Sequence, residues 1–364
     1  MKIRDIIAYL EELAPLQLQE SYDNSGLQVG HPETEVEGVL IALDVDARMI
    51  SEAKSKGCGL IISHHPVIFK PLRRLTGGSL AETIVEAAIR EGIALYAIHT
   101  NLDNAAGGLN QALAGLIGLQ GVQVLQPGIV KLQKLITYCP EEAVGKVMEA
   151  MAGSGAGQIG RYDHCSFQTA GEGTFRALDG ANPYVGTLNQ LHREREVKLE
   201  MIVREYEMGK VIRAMKGAHP YEEVAYDVVP LANTDPGAGA GAWGTLSEPQ
   251  SPESFLSMIK DRLGAEVLRH SVLPSGMIRK VAVCGGSGGF LTDAVIRAGM
   301  DAFITGDLKY HQFADASDSL LLVDAGHFET EIMMTSVIMD AIRKKFPTFA
   351  CSISEHARNP VKYT

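Results

Sequence analysis

The chain has few cysteines, no long apolar run and no excess of positive charge. Its five cysteines, Cys58, Cys139, Cys165, Cys284 and Cys351, are odd in number, widely spread and form no CxxC pair. That argues against a disulfide framework or a thiolate zinc site and predicts a reducing compartment. No segment approaches the roughly 20 consecutive apolar residues that a membrane helix needs. The stretch "MKIRDIIAYLEELAP" has amphipathic helical spacing with acidic residues, unlike the apolar core of a signal peptide. The expectation is a soluble, cytoplasmic protein with no membrane partner. A net charge of −11 repels phosphate backbones, which argues against nucleic acid as a partner. A small molecule or nucleotide stays compatible if a metal offsets that charge. The glycine run "CGGSGG" at 284–289 matches neither GxGxxG nor a P-loop, and no Ser-His-Asp order stands out.

What is present is a core of respectable size: 364 residues with 46% hydrophobic content, enough for two domains. From residue 38 apolar strands alternate with amphipathic helices, as in "GVLIALDV", "DARMISEAKSKG", "CGLIISHHP" and "SLAETIVEAAIREG". This alternation predicts an α/β layered core with parallel strands. Near residue 128 the pattern changes. "VKLQKLITYCP", "EEAVGKVMEAMAGSG", a glycine-rich strand-forming stretch, "REVKLEMIV", "REYEMGKVIRAMKG" and "EEVAYDVVPL" read as β-α-β-β-α-β, the ferredoxin-like order. "ANTDPGAGAGAWG" reads as an exit linker broken by Pro and Gly. The α/β pattern then resumes, with "SLLLVDAGH" as a strand and "FETEIMMTSVIMDAIRKKF" as one helix. The expected architecture is an α/β core over 1–127 and 235–364, split by an α+β insertion over 128–234.

Ligands of open α/β sheets gather at strand C-termini, so residues there test for a site. His64 and His65 follow one predicted strand, His99 and Asp103 the next, and His327 and Glu331 follow "SLLLVDAG". His327 and Glu331 stand at i and i+4 of a helix start, so both share one face. Imidazole and carboxylate together suit Zn, Fe, Mn or Co. Adjacent His64 and His65, kinked by Pro66, can aim their rings at different ions. Three histidines and two carboxylates exceed one structural zinc and match two ions sharing a carboxylate and a water. A lone histidine is more often a satisfied core or surface residue; five matched strand-end positions favour metal. Asp307 and His311 are candidates for outer partners or substrate contacts, with helix capping an equal alternative for Asp307. His99 is a further candidate, as a metal ligand or, slightly favoured, as an outer partner or packing residue, and His99 or His311 could shuttle protons near neutral pH. The "CGGSGG" run at 284–289 weakly suggests an anion cradle, and a tight turn explains it as well.

The motifs "YDNSGLQVG", "SHHP", "HTNLD" and "DAGHFETE" resemble the signatures of the NIF-three-like family, whose members are known as GTP cyclohydrolase type-two homologues. The resemblance spans essentially the whole chain. "GQIGRYDHCSF" and "HPYEEVAYDV" resemble the insertion of its longer bacterial members, which has a PII/CutA-like fold. The departures, Tyr22, Ser25 and Val224, touch no proposed ligand. The resemblance implies two divalent ions per chain held by His64, His65, Asp103, His327 and Glu331. It also implies a homohexamer built as a trimer of dimers, with the insertions over its openings. Two functions follow as expectations. One is a metal-dependent hydrolase that opens the imidazole ring of GTP. The other is a non-catalytic hexamer that stores or delivers metal, or regulates.

Overall fold

The structure, a computed structural model, describes residues 1–128, 130–316 and 320–364. The chain forms two compact units, Met1–Pro127 with Gly237–Thr364, and Gly128–Pro236. Ser319, the first residue of the strand expected at "SLLLVDAGH", lies outside the described residues.

In the first unit the strands β1 (Gly26–Val29), β2 (Gly38–Ala42), β3 (Leu60–Ser63), β4 (Ala94–Ala97) and β5 (Gln120–Pro127) come before residue 128. The second unit contributes β6 (Lys131–Pro140), β7 (Ser166–Arg176), β8 (Leu191–Arg204) and β9 (Tyr226–Thr234). The chain then returns to the first unit with β10 (Gly239–Gln250), β11 (Arg269–His270), β12 (Ile278–Val283), β13 (Ala302–Thr305), β14 (Leu321–Asp324) and β15 (Ala350–Ile353).

The first unit holds two sheets. One has the order β1-β4-β3-β2-β15, and β15, β2, β3 and β4 run parallel. The other has the order β11-β14-β13-β12-β10-β5, with β12, β13 and β14 parallel. The central strands β2, β3, β4, β13 and β14 are buried along their whole length. That is why they read as unbroken apolar runs rather than as alternation. Helices between them follow their local signals. Asp46 accepts from the backbone N–H groups of Arg48 and Met49 to open Ala47–Ser55, and left-handed Gly92 closes Leu80–Glu91.

Two expectations need correction. The supposed exit linker, 232–244, takes in the end of β9 and the first half of β10, a strand in the interior of the second sheet, paired to β5 and β12 on either side. Its glycines are there for space: a Cβ on Gly244 would sit 2.8 Å from the Gln120 carbonyl oxygen. The single helix expected at 328–346 is two, His327–Glu331 and Met334–Lys345.

The second unit is one antiparallel sheet of order β7-β8-β6-β9, with helices Val144–Ala152 and Met208–Ala218 in β-α-β-β-α-β order. Both helices cover the sheet face that carries Leu135, Leu199, Met201 and Val203. No helix among the described residues is long and apolar enough to cross a membrane.

Candidate metal centre

The two sheets of the first unit each deliver half of one cluster. His64 and His65 leave the end of β3, and His99 and Asp103 follow β4. His327 and Glu331 follow β14, and the helix His327–Glu331 holds them one turn apart. His65 Nε2 lies 3.1 Å from Glu331 Oε2, and His327 Nε2 lies 2.9 Å from the same oxygen. His64 Nε2 is 3.6 Å from both Asp103 Oδ1 and Glu331 Oε1. The His65 and His327 Nε2 atoms are 3.2 Å apart. The rings of His64 and His65 are tilted by 50° with centroids 5.1 Å apart, so the adjacent histidines do diverge. The five expected positions therefore converge.

A sixth group joins them. The rings of His64 and His65 lie 5.1 and 5.4 Å from that of His99. Ligand atoms of His64, His65 and His99 fall within 4.8 Å of one another, as do those of His65, His327 and Glu331. Asp307 anchors the cluster from outside, while His311 stands apart: it is exposed and its ring packs edge-on against Tyr310. Among the described residues, no hydrogen bond or ring contact joins His311 to the cluster.

What orients the rings is the decisive feature. His64 Nδ1 lies 2.8 Å from the Ile98 carbonyl oxygen, His65 Nδ1 2.8 Å from Asp44 Oδ1, His99 Nδ1 2.7 Å from Asp23 Oδ1, and His327 Nδ1 2.7 Å from Asp307 Oδ2. A carbonyl or carboxylate oxygen only accepts, so all four Nδ1 atoms carry the hydrogen. All four Nε2 lone pairs are thereby left for the cluster, the tautomer that metal-binding histidines adopt. Asp307 reaches His327 from a left-handed backbone (φ +56°), a conformation that Asp tolerates better than most residues. Sequence reading anticipated Asp307 but missed Asp44 and Asp23, which lie 21 and 76 residues from their histidines.

The surrounding carboxylates favour positive charge at the cluster, either a proton on Nε2 or a bound cation that displaces it. Burial works against charge on His65 and His327, but the carboxylates of Asp44, Glu331 and Asp307 outweigh it, raising them to about 10 and about 9. Burial raises the Asp103 carboxyl, while the surrounding histidines hold Glu331 well below the usual carboxylate range despite its burial. His64 Nε2, Asp103 Oδ1 and Glu331 Oε2 are buried yet make no directed hydrogen bond. Such groups are costly unless something pairs with them. A divalent cation would do so, and the mixed nitrogen and oxygen donor set fits one.

The glycine run at 284–289 has a structural purpose. The amide of Gly285 donates to Asn110 Oδ1, that of Gly286 to Thr330 Oγ1 and that of Gly288 to Thr305 Oγ1, so these three are spent within the protein. Gly286 has φ +58°, and a Cβ there would lie 2.1 Å from Glu331 Oε1. The loop is the seat of Glu331. Cys284 beside it is buried, and burial holds its thiol protonated.

Across residues 1–360 the sequence matches Duf34/NIF3 (NGG1p interacting factor 3). The chain belongs to this family. Among its relatives is a "GTP cyclohydrolase 1 type 2 homolog" of Halalkalibacterium halodurans, 39% identical over 91% of this chain and 90% of that protein. A relative of the same name in Bacillus subtilis is 38% identical over 92% and 90%. A Bacillus cereus protein related to NIF3 shares the fold with a TM-score of 0.89 and 36% identity, covering 100% of this chain and 99% of that one. The chain thus matches Duf34/NIF3 over residues 1–360, with a mixed α/β fold and groups able to hold metal.

Proposed function

We propose that this Duf34/NIF3 protein is a dinuclear metal-dependent hydrolase. The observation that carries the reading is the shared orientation of four histidines, each fixed through Nδ1 to an oxygen so that Nε2 faces the cluster. His64 with Asp103 would hold one ion and His65 with His327 the other, with Glu331 between them as the shared carboxylate. Two such ions would supply an activated water at neutral pH and stabilise negative charge developing on the substrate.

The chain's own residues would divide the remaining work. His99, its Nδ1–H held by Asp23, presents Nε2 as the base that takes a proton at the cluster and returns it to the leaving nitrogen. Asp23 keeps that tautomer through five hydrogen-bond donors: His99 Nδ1, Thr100 N and Oγ1, Ser25 Oγ and Asn24 N. The names of the curated relatives suggest GTP as the substrate, with the imidazole ring of its base as the bond attacked. The reading also takes in a homohexamer and a PII/CutA-like insertion, as the sequence motifs imply.

The test is metal per chain by plasma mass spectrometry, with nucleotide turnover for wild type and Glu331→Gln. About two metals and metal-dependent turnover that collapses in the variant are expected. Two metals without turnover of any nucleotide would replace the enzyme by a storage or delivery protein. Less than one metal per chain would refute the centre itself. Light scattering at sixfold chain mass checks the assembly.

A further inference from the structure

The second unit contains a chamber that the metal chemistry does not use. Strand alternation places Leu199 and Met201 under the helices, so Glu196 and Lys198 face the opposite side of the sheet. Beside them β7 runs as an edge strand whose sequence "TAGEGT" bares its backbone at Gly171 and Gly173. Over this floor lies a cavity of about 680 Å³, roofed by the segment Ala177–Val185 and by Tyr221. That volume lies within the roughly 300–1,000 Å³ of small-molecule sites.

Its walls have a definite chemistry. Phe175, Tyr184 and Tyr221 form an aromatic side, with Tyr221 centroids 6.5 Å from Phe175 and 6.1 Å from Tyr184. Tyr138 adds a fourth ring. Glu172, Glu196, Glu222 and Glu223 line the cavity against only Arg176 and Lys198. The Lys198 ammonium is already paired with Glu200 at 3.0 Å, Glu172 with Arg193 at 2.5 Å, and Glu222 accepts from the Asn182 amide at 2.8 Å, so Glu196 and Glu223 carry the remaining negative charge. Glu196 is held in place: the Tyr221 hydroxyl donates to its Oε1 at 2.9 Å, and its carboxylate lies where a Cβ on Gly173 would be. That hydrogen bond leaves Glu196 Oε2 as an acceptor beside the aromatic side. By contrast, a Cβ on Gly171 would meet nothing nearer than 4.0 Å, so the space above Gly171 is the chamber itself.

We propose that this cavity binds a small organic cation, a flat ring carrying a protonated amine, with the ring against Phe175, Tyr184 and Tyr221 and the ammonium on Glu196. Aromatic faces and surplus carboxylates both attract cations, and both repel anions of the same shape. The site is independent of the metal centre and of its reaction.

Tryptamine serves as the probe and indole-3-propionate as its anionic counterpart, each titrated into the full-length protein by ligand-observed NMR with a chelator present. Tryptamine is expected to bind at least about tenfold more tightly than the anion. Gly171→Leu, which fills open space, is expected to abolish that binding, and Glu196→Gln to weaken it by about tenfold. Circular dichroism and melting of both variants identify any that fail to fold, and Thr169→Leu is the second block if Gly171→Leu does. The proposal is overturned if tryptamine does not saturate in the millimolar range, if the anion binds equally well, or if tryptamine binding survives a folded blocking variant.

Discussion

Replacing Gly286 by alanine separates two costs that usually arrive together. The first is backbone strain. At φ +58° a side chain costs about 1–2 kcal/mol, because Cβ crowds the following carbonyl oxygen. Gly57 supplies the control, since its φ is +68° and a Cβ there meets nothing within 4 Å. Gly57→Ala therefore carries the strain alone. For a unit of this size each kcal/mol lowers Tm by about 2–4 °C, so both variants should melt several degrees early.

The second cost exists only at Gly286. Its new Cβ would lie 2.1 Å from Glu331 Oε1, so the carboxylate must retreat by more than about 1 Å to reach ordinary contact. Metal–ligand distances tolerate only about 0.2 Å. Even outer-partner changes cost about 10–100-fold in metal affinity, and displacement of a ligand itself belongs at the upper end of that range. The assay is metal retained after equilibrium dialysis, read beside melting curves with and without added metal. A ligand at 100 times its Kd stabilises by about 2.7 kcal/mol but at its Kd by only about 0.4 kcal/mol, so added metal should raise the Tm of wild type and Gly57→Ala far more than that of Gly286→Ala. If Gly286→Ala keeps as much metal as Gly57→Ala, the loop is not the seat of Glu331 and the argument fails.

Three further outcomes follow from particular hydrogen bonds. Asp307→Asn weakens the anchor on His327 Nδ1 and should lower metal affinity by about 10–100-fold; unchanged affinity in a competition titration would count against the anchoring role. Asp23→Asn cannot accept from all five donors that Asp23 now satisfies, so the His99 tautomer should lose definition in nitrogen NMR shifts, and a spectrum identical to wild type would contradict this. In the second unit, burial lowers the pKa of His219, whose Nδ1 accepts from the Tyr221 amide while Nε2–H donates to the Tyr138 carbonyl. The unfolded chain then binds the extra proton first, so stability falls as pH drops through about 6.5 and continues falling to the folded pKa. His219→Gln should flatten the melting profile between about pH 7 and 5, and parallel profiles for the two proteins would refute this linkage.

Much of the site was legible because parallel strands end at one edge and histidines follow those ends. His64, His65, Asp103, His327 and Glu331 needed only that rule and helical spacing. The anchors were harder. Asp44 follows the end of β2 and obeys the same rule, but a lone aspartate there points to no chemistry; Asp23 lies in the "YDNSGLQVG" motif ahead of β1, and only the fold brings it to His99. β10 was hidden for a different reason: glycine and proline read as breakers, whereas Gly244 is there because the β5 backbone passes too close for a side chain. The split at Ile332 and Met333 was masked by an apolar pattern that continues across it.

Because the donors arrive from both sheets of the first unit, binding of an ion would be coupled to the folding of that unit. β2, β3 and β4 deliver Asp44, His64, His65, His99 and Asp103, whereas β12, β13 and β14 deliver Gly286, Asp307, His327 and Glu331. Glu331 touches His64 and His65 across that divide, with its Oε2 buried and without a directed hydrogen bond. A cation held there would tie the two sheets, and its removal would leave buried charge on both sides at once. Chelation should therefore loosen both halves together, as local opening read by amide exchange. Protection should fall for the turn after β3 and for the helix His327–Glu331, while β7 and β8 in the second unit keep theirs. Loss confined to one sheet would mean that the ion serves one half alone, and the bridging role of Glu331 would have to be abandoned.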